Sequence, residues 1–151
     1  KQGRVEAWWL GLGNYRLPKA VVSLMVRYPR FVSVTAEVFV LAEMHVQIVK
    51  RVLRQTVDGL TTCGLSYTMV AQSDGFLLEF SGFNEHLPEL IRRMLPKVRD
   101  PNATEHFEEL RRQYVNNFDL MGLGAYNYVM GAFDVLTAKG RFGTLELLQA
   151  A

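Results

Sequence analysis

Three histidines and one cysteine are the side chains in this 151-residue chain best suited to metal binding or nucleophilic catalysis. A helical zinc site of the type His-x-x-Glu-His places two imidazoles on one face and uses the glutamate as base for the metal-bound water. The nearest match begins at His106, where Glu108 and Glu109 follow but Leu110 replaces the second histidine. We therefore predict an ordinary acidic first helical turn there, and no zinc site.

The remaining candidates stand alone in the sequence. His45 falls in the apolar stripe of a predicted helix, which favours a half-buried side chain with a hydrogen-bond partner over a ligand or acid–base group. His86 falls in a first helical turn and is predicted to be exposed. Cys63 has no nearby His or Lys and is predicted to be a small buried hydrophobic residue. No catalytic, cofactor-binding or metal-binding residue is predicted.

Three further patterns have both an ordinary and a functional interpretation. Asn102-Ala103-Thr104 is a formal glycosylation sequon, but a helix cap is favoured there. A basic cluster lies close to acidic residues and is predicted to be a mixed, solvated surface. Exposed aromatic residues could line a groove that adds an extended peptide to a sheet edge, although core packing is equally consistent. The basic residues are Arg92, Arg93, Lys97, Arg99, Arg111 and Arg112; the aromatic residues are Trp8, Trp9, Tyr15, Tyr28, Tyr126 and Tyr128.

Composition indicates one folded domain. Hydrophobic residues make up 49% of the chain and charged residues 21%, which is enough for a core and argues against disorder. The net charge of +2 is too small to indicate nucleic acid or an anionic membrane as partner. A single cysteine favours a reducing compartment, so we expect an intracellular, cytoplasmic protein, with the mitochondrion as the alternative. The start at Lys1 shows no signal-like segment, and we expect a piece of a longer chain.

The first half of the sequence predicts two strands and a long helix. Residues 4 to 10 are predicted to be an edge strand, followed by a turn at Gly11, Gly13 and Asn14. A strand begins at Leu17-Pro18, and residues 20 to 26 are apolar with few breaks, as in a central strand. Residues 34 to 57 show a stripe of apolar residues at helical spacing, and Gly59 is predicted to end the helix.

The second half predicts a hairpin followed by helices. Two alternating strands within residues 64 to 83 flank a turn ending in Asp74-Gly75. Asn84 is predicted to cap the next helix, with Pro88 in its first turn. Later helices are predicted from Asn102 or Thr104 to about Met121, then over residues 125 to 138 and 144 to 149. The predicted order is β-β-α-β-β-α-α-α, an α+β fold with an antiparallel sheet of about four strands and helices on one face.

Short motifs along this order resemble a known family. They are Leu17-Pro18-Lys19-Ala20, Gly64-Leu65-Ser66-Tyr67, Gly75, Gly82-Phe83-Asn84 and Leu87-Pro88. Their order and spacing are similar to a middle, non-catalytic domain of the long pitrilysin/insulysin zinc metallopeptidases, the inverzincins. The resemblance covers residues 4 to 148.

The resemblance implies a role within a larger enzyme. Long members of the family have four such domains: the N-terminal half carries zinc, and the C-terminal half closes over it to form a peptide chamber. Residues 1 to 151 would be one non-catalytic domain, the first of the C-terminal half, without cofactor or cleavage activity of its own. Its partners would be neighbouring domains and the peptide substrate, with no nucleic acid and no membrane. Zinc is expected in the N-terminal domain of the parent chain.

Two alternatives remain open. The chain could be a structural homologue of the same fold, like the core subunits of the mitochondrial cytochrome bc1 complex or the non-catalytic subunit of the mitochondrial processing peptidase. It could also be an unrelated α+β interaction module. The first alternative predicts a parent chain without a zinc motif, and the second predicts a different strand order.

Overall fold

The computed structural model describes residues 5–11, 18–29, 32–61, 63–101, 107–121, 125–137 and 140–151. Three strands and five helices follow in the order β-α-β-β-α-α-α-α. The α+β class with an antiparallel sheet is confirmed, although the described residues form three strands where about four were predicted. The strands are β1 (Lys19–Arg27), β2 (Ser66–Gln72) and β3 (Gly75–Phe83); the helices are α1 (Ala36–Thr61), α2 (Leu87–Arg99), α3 (Phe107–Met121), α4 (Ala125–Thr137) and α5 (Thr144–Ala150).

The sheet has the order β1-β3-β2, with both pairings antiparallel. The prediction of a central strand over residues 20 to 26 is wrong, because β1 lies at an edge and β3 lies in the middle. Side chains of β1 alternate between partly buried and exposed, and Val21 is 64% exposed. The continuous apolar run therefore reflects an open sheet face that still carries apolar residues, and not burial on both faces.

The predicted strand at residues 4 to 10 is also wrong. Residues 5–10 belong to no strand, and the side chains of Trp8 and Trp9 are exposed. The apolar residues of this segment do not alternate regularly, so no single face could be buried against a sheet. Gly13 and Asn14 of the predicted turn lie outside the described residues, and the following strand begins at Lys19, one residue after Pro18.

The hairpin between β2 and β3 has a two-residue turn, Ser73-Asp74, because Gln72 pairs with Gly75. Gly75 lies where β1 comes very close: a Cβ on this residue would overlap the carbonyl oxygen of Val26, and its φ of 156° is one that other residues rarely adopt. The backbone N–H of Tyr28 donates to the Asp74 carbonyl oxygen over 3.0 Å. The turn therefore fixes the register of all three strands.

Helix α1 starts after Thr35, whose hydroxyl oxygen accepts a hydrogen bond from the Val38 backbone N–H over 3.4 Å. The prediction that Gly59 ends the helix is wrong, since α1 continues to Thr61. Gly59 does not adopt a positive φ. A single glycine weakens a helix by only about 1 kcal/mol, so packing of the apolar stripe overrides it.

Helix α2 begins at Leu87, so Asn84 is not its cap; residues 84–86 form a turn instead. His86 takes the N-cap position without a side-chain hydrogen bond to the helix. Pro88 does lie in the first turn, as predicted. Helices α1 and α2 pack on one face of the sheet and enclose the core. The core residues are Val46, Val49, Leu53, Val57, Leu65, Met69, Leu78, Phe80, Leu87, Leu90 and Met94.

Helices α3 and α5 pack against α1 and contact each other. The hydroxyl of Tyr114 donates to Glu43 Oε2 over 2.5 Å, and Arg51 pairs with Glu109 over 3.1 Å. The predicted caps of α3, Asn102 and Thr104, lie outside the described residues. The last helix extends one residue beyond its predicted end.

Candidate functional site

The two described histidines have the environments that the sequence predicts. His45 is half-buried, its Nε2 lies 3.0 Å from the carbonyl oxygen of Val98, and its ring lies 5.6 Å from that of Phe76. The imidazole thus joins α1 to the end of α2 and packs on the sheet. His86 is exposed, and His106 lies outside the described residues.

Cys63 is exposed, so its predicted burial is wrong. It lies in the turn between α1 and β2, outside the cluster of buried core residues. Its thiol makes a weak contact of 3.7 Å with the Gly59 carbonyl oxygen. The cysteine lines a shallow cleft of about 370 Å³ together with Pro18, Phe83, Asn84, Glu85 and His86.

No group of three histidine, cysteine, aspartate or glutamate side chains among the described residues is arranged to hold a metal ion. The glycosylation sequon lies outside those residues. On α2, Glu89 Oε1 accepts a hydrogen bond from Arg93 over 2.7 Å, and its other oxygen pairs with Arg92 over 3.0 Å. The hydrogen bond from Arg93 is the main cause that lowers the pKa of Glu89. These arginines belong to a mixed, solvated surface, as predicted.

Among the described residues, α1 and α2 leave one surface of the sheet exposed or partly exposed, and this surface is here called the open face. The strand register arranges its side chains in three rows across β1, β3 and β2. The row nearest the hairpin turn is apolar, the middle row is polar and the third row is mixed. In strand order the rows are Met25, Leu77 and Val70; Ser23, Glu79 and Thr68; and Val21, Ser81 and Ser66.

Hydrogen bonds hold the polar part of the open face together. The Ser23 hydroxyl donates to Glu79 Oε1 over 3.2 Å, and the hydroxyls of Ser66 and Ser81 lie 2.6 Å apart. An apolar row beside hydroxyls and a carboxylate can contact apolar and polar side chains of a peptide or of another protein surface. It contains no imidazole or thiol that could act as a base or nucleophile.

Sequence reasoning considered a peptide groove lined by aromatic residues but did not identify the residues of the open face. The signal was present in the alternation of β1, where Ser23 stands between Val21 and Met25, but the apolar character of residues 20 to 26 concealed it. The predicted aromatic groove is not formed as a unit. Trp8, Trp9 and Tyr126 are exposed, Tyr28 packs edge-on against Phe76 with ring centres 5.7 Å apart, and Tyr15 and the side chain of Tyr128 lie outside the described part.

Comparison with known proteins assigns the family. Residues 1–150 match the family model described as the middle or third domain of peptidase_M16. The solved structure of pitrilysin matches with a TM-score of 0.77 and 24% identity over 87% of this chain, which shows a common fold. No curated protein sequence matches the chain. The chain belongs to the peptidase_M16 family, of which it represents the middle or third domain.

The chain spans only 14% of the length of the pitrilysin chain that it matches. None of the helices in the described residues is both long enough and apolar enough to cross a membrane.

Proposed function

We propose that residues 1–151 form a non-catalytic domain of a longer, pitrilysin-like zinc metalloendopeptidase, and that this domain helps to enclose the chamber in which peptides are degraded. The observation that carries the proposal is the match of residues 1–150 to the middle or third domain of peptidase_M16. The fold shared with pitrilysin supports it. The open face is the surface best suited to the chamber side, since it is a broad, solvent-facing surface of mixed polarity.

The chemistry of this domain is consistent with a supporting role. A catalytic zinc ion needs three protein ligands that converge on one point. The described residues do not fit such an ion, because the Nε2 atom of half-buried His45 is already engaged by the Val98 carbonyl oxygen, and exposed His86 and Cys63 are not joined by a third ligand. We propose that the zinc is held by another domain of the longer chain.

The test uses the longer chain that contains residues 1–151. Its metal content is measured, and cleavage of a fluorogenic peptide is followed before and after removal of metal by a chelator. We expect one zinc ion per chain, loss of cleavage on chelation and recovery when zinc is returned. A longer chain that binds no zinc and cuts no peptide would contradict the proposal and favour a structural or assembly role.

The location of the parent protein is proposed on a narrower basis. The single cysteine favours a reducing compartment, and we infer an intracellular, cytoplasmic location from it. Cell fractionation with an antibody against the longer chain tests this inference. Recovery from the secreted fraction would contradict it.

A further inference from the structure

The open face carries a carboxylate at its centre. Glu79 lies on β3, the middle strand, and in the middle of the three rows, so side chains of the open face lie around it. The residue is exposed. Glutamate is less common in strands than β-branched and aromatic residues, which fit the pleated surface better. The charge at this position is therefore not explained by the stability of the strand.

Two cations lie on the same surface, but at its ends. The alternation of β1 exposes Lys19 and Arg27 at the two ends of the strand, each four residues from the middle row. At about 3.3 Å per residue, each lies about 13 Å along the sheet from that row. Both cations are engaged locally. Lys19 Nζ lies 5.5 Å from the centre of the Phe83 ring, and Arg27 Nε lies 3.5 Å from Asp74 Oδ2.

Glu79 makes no ion pair with any of the residues that the structure describes. The hydroxyl of Ser23 donates to its Oε1 over 3.2 Å. This donor is neutral, so it leaves the negative charge uncompensated, and a carboxylate can accept about four hydrogen bonds in all. An ammonium or guanidinium group forms stronger hydrogen bonds with a carboxylate than a hydroxyl does. The centre of the open face is therefore complementary to a basic side chain.

The apolar row beside Glu79 supplies a second contact of different chemistry. Met25, Leu77 and Val70 each lie two residues along their strand from the middle row, a distance of about 7 Å. In an extended peptide, side chains i and i+2 point to the same side and are separated by the same distance. A peptide can therefore place a basic side chain against Glu79 and an apolar side chain against this row when the two are two positions apart.

A second copy of the domain does not supply the basic group. A symmetric contact places the same surface of each copy against the other. Two Glu79 carboxylates would then approach each other, which is unfavourable for like charges. The cations at the ends of the open face already contact Phe83 and Asp74. Charge complementarity therefore favours a separate, basic ligand.

We propose that Glu79 and the apolar row form a subsite for peptides that carry arginine or lysine two positions from an apolar residue. This subsite depends on the proposed function, in which the open face lines the peptide chamber, and it adds a class of substrate to that function. Glu79 is a binding residue there and takes no part in cleavage of the peptide bond.

The test measures peptide binding to the longer chain after its metal has been removed by a chelator, so that no cleavage interferes. Two fluorescein-labelled peptides of otherwise equal sequence contain Leu-Ser-Arg-Ser-Leu or Leu-Ser-Gln-Ser-Leu, a pattern that fits the subsite in either chain direction. Fluorescence anisotropy gives the dissociation constant of each. We expect Glu79→Gln to weaken binding of the arginine peptide about threefold to tenfold, and binding of the glutamine peptide by less than about twofold.

Glu89→Gln is the matched control, because it removes an equal charge from an exposed carboxylate on α2, which packs on the opposite face of the sheet. It should change neither dissociation constant by more than about twofold. Glu79→Lys reverses the charge of the subsite. This variant should bind a third peptide, which contains Leu-Ser-Glu-Ser-Leu, more tightly than the unaltered protein does.

Equal losses for the arginine and glutamine peptides in Glu79→Gln would overturn the proposal, as would failure of the longer chain to bind either peptide. A dimer that Glu79→Gln converts to a monomer in light scattering would also overturn it and assign the open face to a second copy. Zinc content and cleavage by the untreated chain test the proposed function separately. Cleavage without the charge preference would contradict only the subsite, whereas binding with that preference but without cleavage would contradict only the peptidase.

Discussion

At the scale of single residues, Tyr114 makes a polar link between α3 and α1. Its hydroxyl donates to the Glu43 carboxylate across the α3–α1 contact, and both residues are partly buried. Burial is the main cause that raises the pKa of Tyr114 above its usual range, and the bond to Glu43 adds to it. The neutral phenol is therefore the form that the folded protein stabilises.

Tyr114→Phe should lower the free energy of unfolding by about 1–2 kcal/mol, because a partly buried carboxylate loses its donor. The effect should depend on pH. The pKa of Tyr114 is higher in the folded state than the unfolded value of about 10, so its contribution is fully present below that pH and is lost as the pH rises above it. Urea titrations at pH 8 and pH 10.5 should show the difference between the two proteins shrinking.

Tyr126→Phe is the matched control, since this tyrosine is 74% exposed on α4. Its substitution should change the free energy of unfolding by less than about 0.5 kcal/mol. An equal loss in both variants would mean that the bond to Glu43 contributes nothing specific.

Gly75→Ala should destabilise the sheet by about 2–4 kcal/mol, because the new Cβ would overlap the Val26 carbonyl oxygen and approach the Arg27 Cα to 2.9 Å. Backbone atoms on both sides leave no flexible side chain that could move aside. Denaturant unfolding followed by circular dichroism measures the loss. A variant with wild-type stability would show that β1 does not approach the hairpin so closely.

At the scale of elements, local patterns predicted the hairpin and most helices but not their limits or positions. The alternation in residues 64 to 83 and the helix with Pro88 in its first turn are found in the fold because each buries one side. Three of the wrong predictions concern features that tertiary packing determines: the end of a helix, the residue that caps a helix, and the position of a strand in the sheet. Gly59 stays helical, Asn84 enters a turn and not a cap, and β1 takes an edge. None of these outcomes is a property of the local sequence alone.

The sequence predicted neither the exposure of Cys63 nor the rows of the open face, because both depend on tertiary structure. A small apolar residue is usually buried, but residue 63 follows the last turn of α1 and lies outside the core. The rows of the open face exist only once β1, β3 and β2 are placed side by side in register. Register across distant strands depends on tertiary contacts, so the alternation within β1 alone did not define these rows.

Gly59→Ala should stabilise the domain by about 0.5–1 kcal/mol. The helical φ of Gly59 suits alanine, and an added Cβ would meet nothing within 4 Å. The same substitution at Gly75 has the opposite predicted sign, so the two variants control for each other. Thermal and urea unfolding measure the change; a less stable variant would place the end of α1 before Gly59.

At the scale of the whole molecule, the open face should contribute to peptide binding if it lines the chamber of the longer enzyme. Val70→Arg puts a charge in its apolar row. We expect KM for an apolar peptide to rise about threefold to tenfold, equivalent to roughly 0.7–1.4 kcal/mol, while kcat changes by less than about twofold. Steady-state kinetics of the longer chain measure both constants.

Leu41→Arg is the control for that experiment, since Leu41 is an exposed apolar residue on α1, whose opposite side packs against the sheet. It should leave KM unchanged. Equal effects of the two variants, or no effect of either, would remove the open face from the chamber wall.

The strand order also determines when the sheet can form. Ser66 and Ser81, joined across β2 and β3, are 15 residues apart, whereas Ser23 and Glu79, joined across β1 and β3, are 56 residues apart. Closing the longer loop costs more chain entropy, and all of α1 lies within it. The hairpin should therefore form early and β1 should dock last, although β1 is synthesised first. In native-state hydrogen exchange, the amides of β1 should open before those of β2.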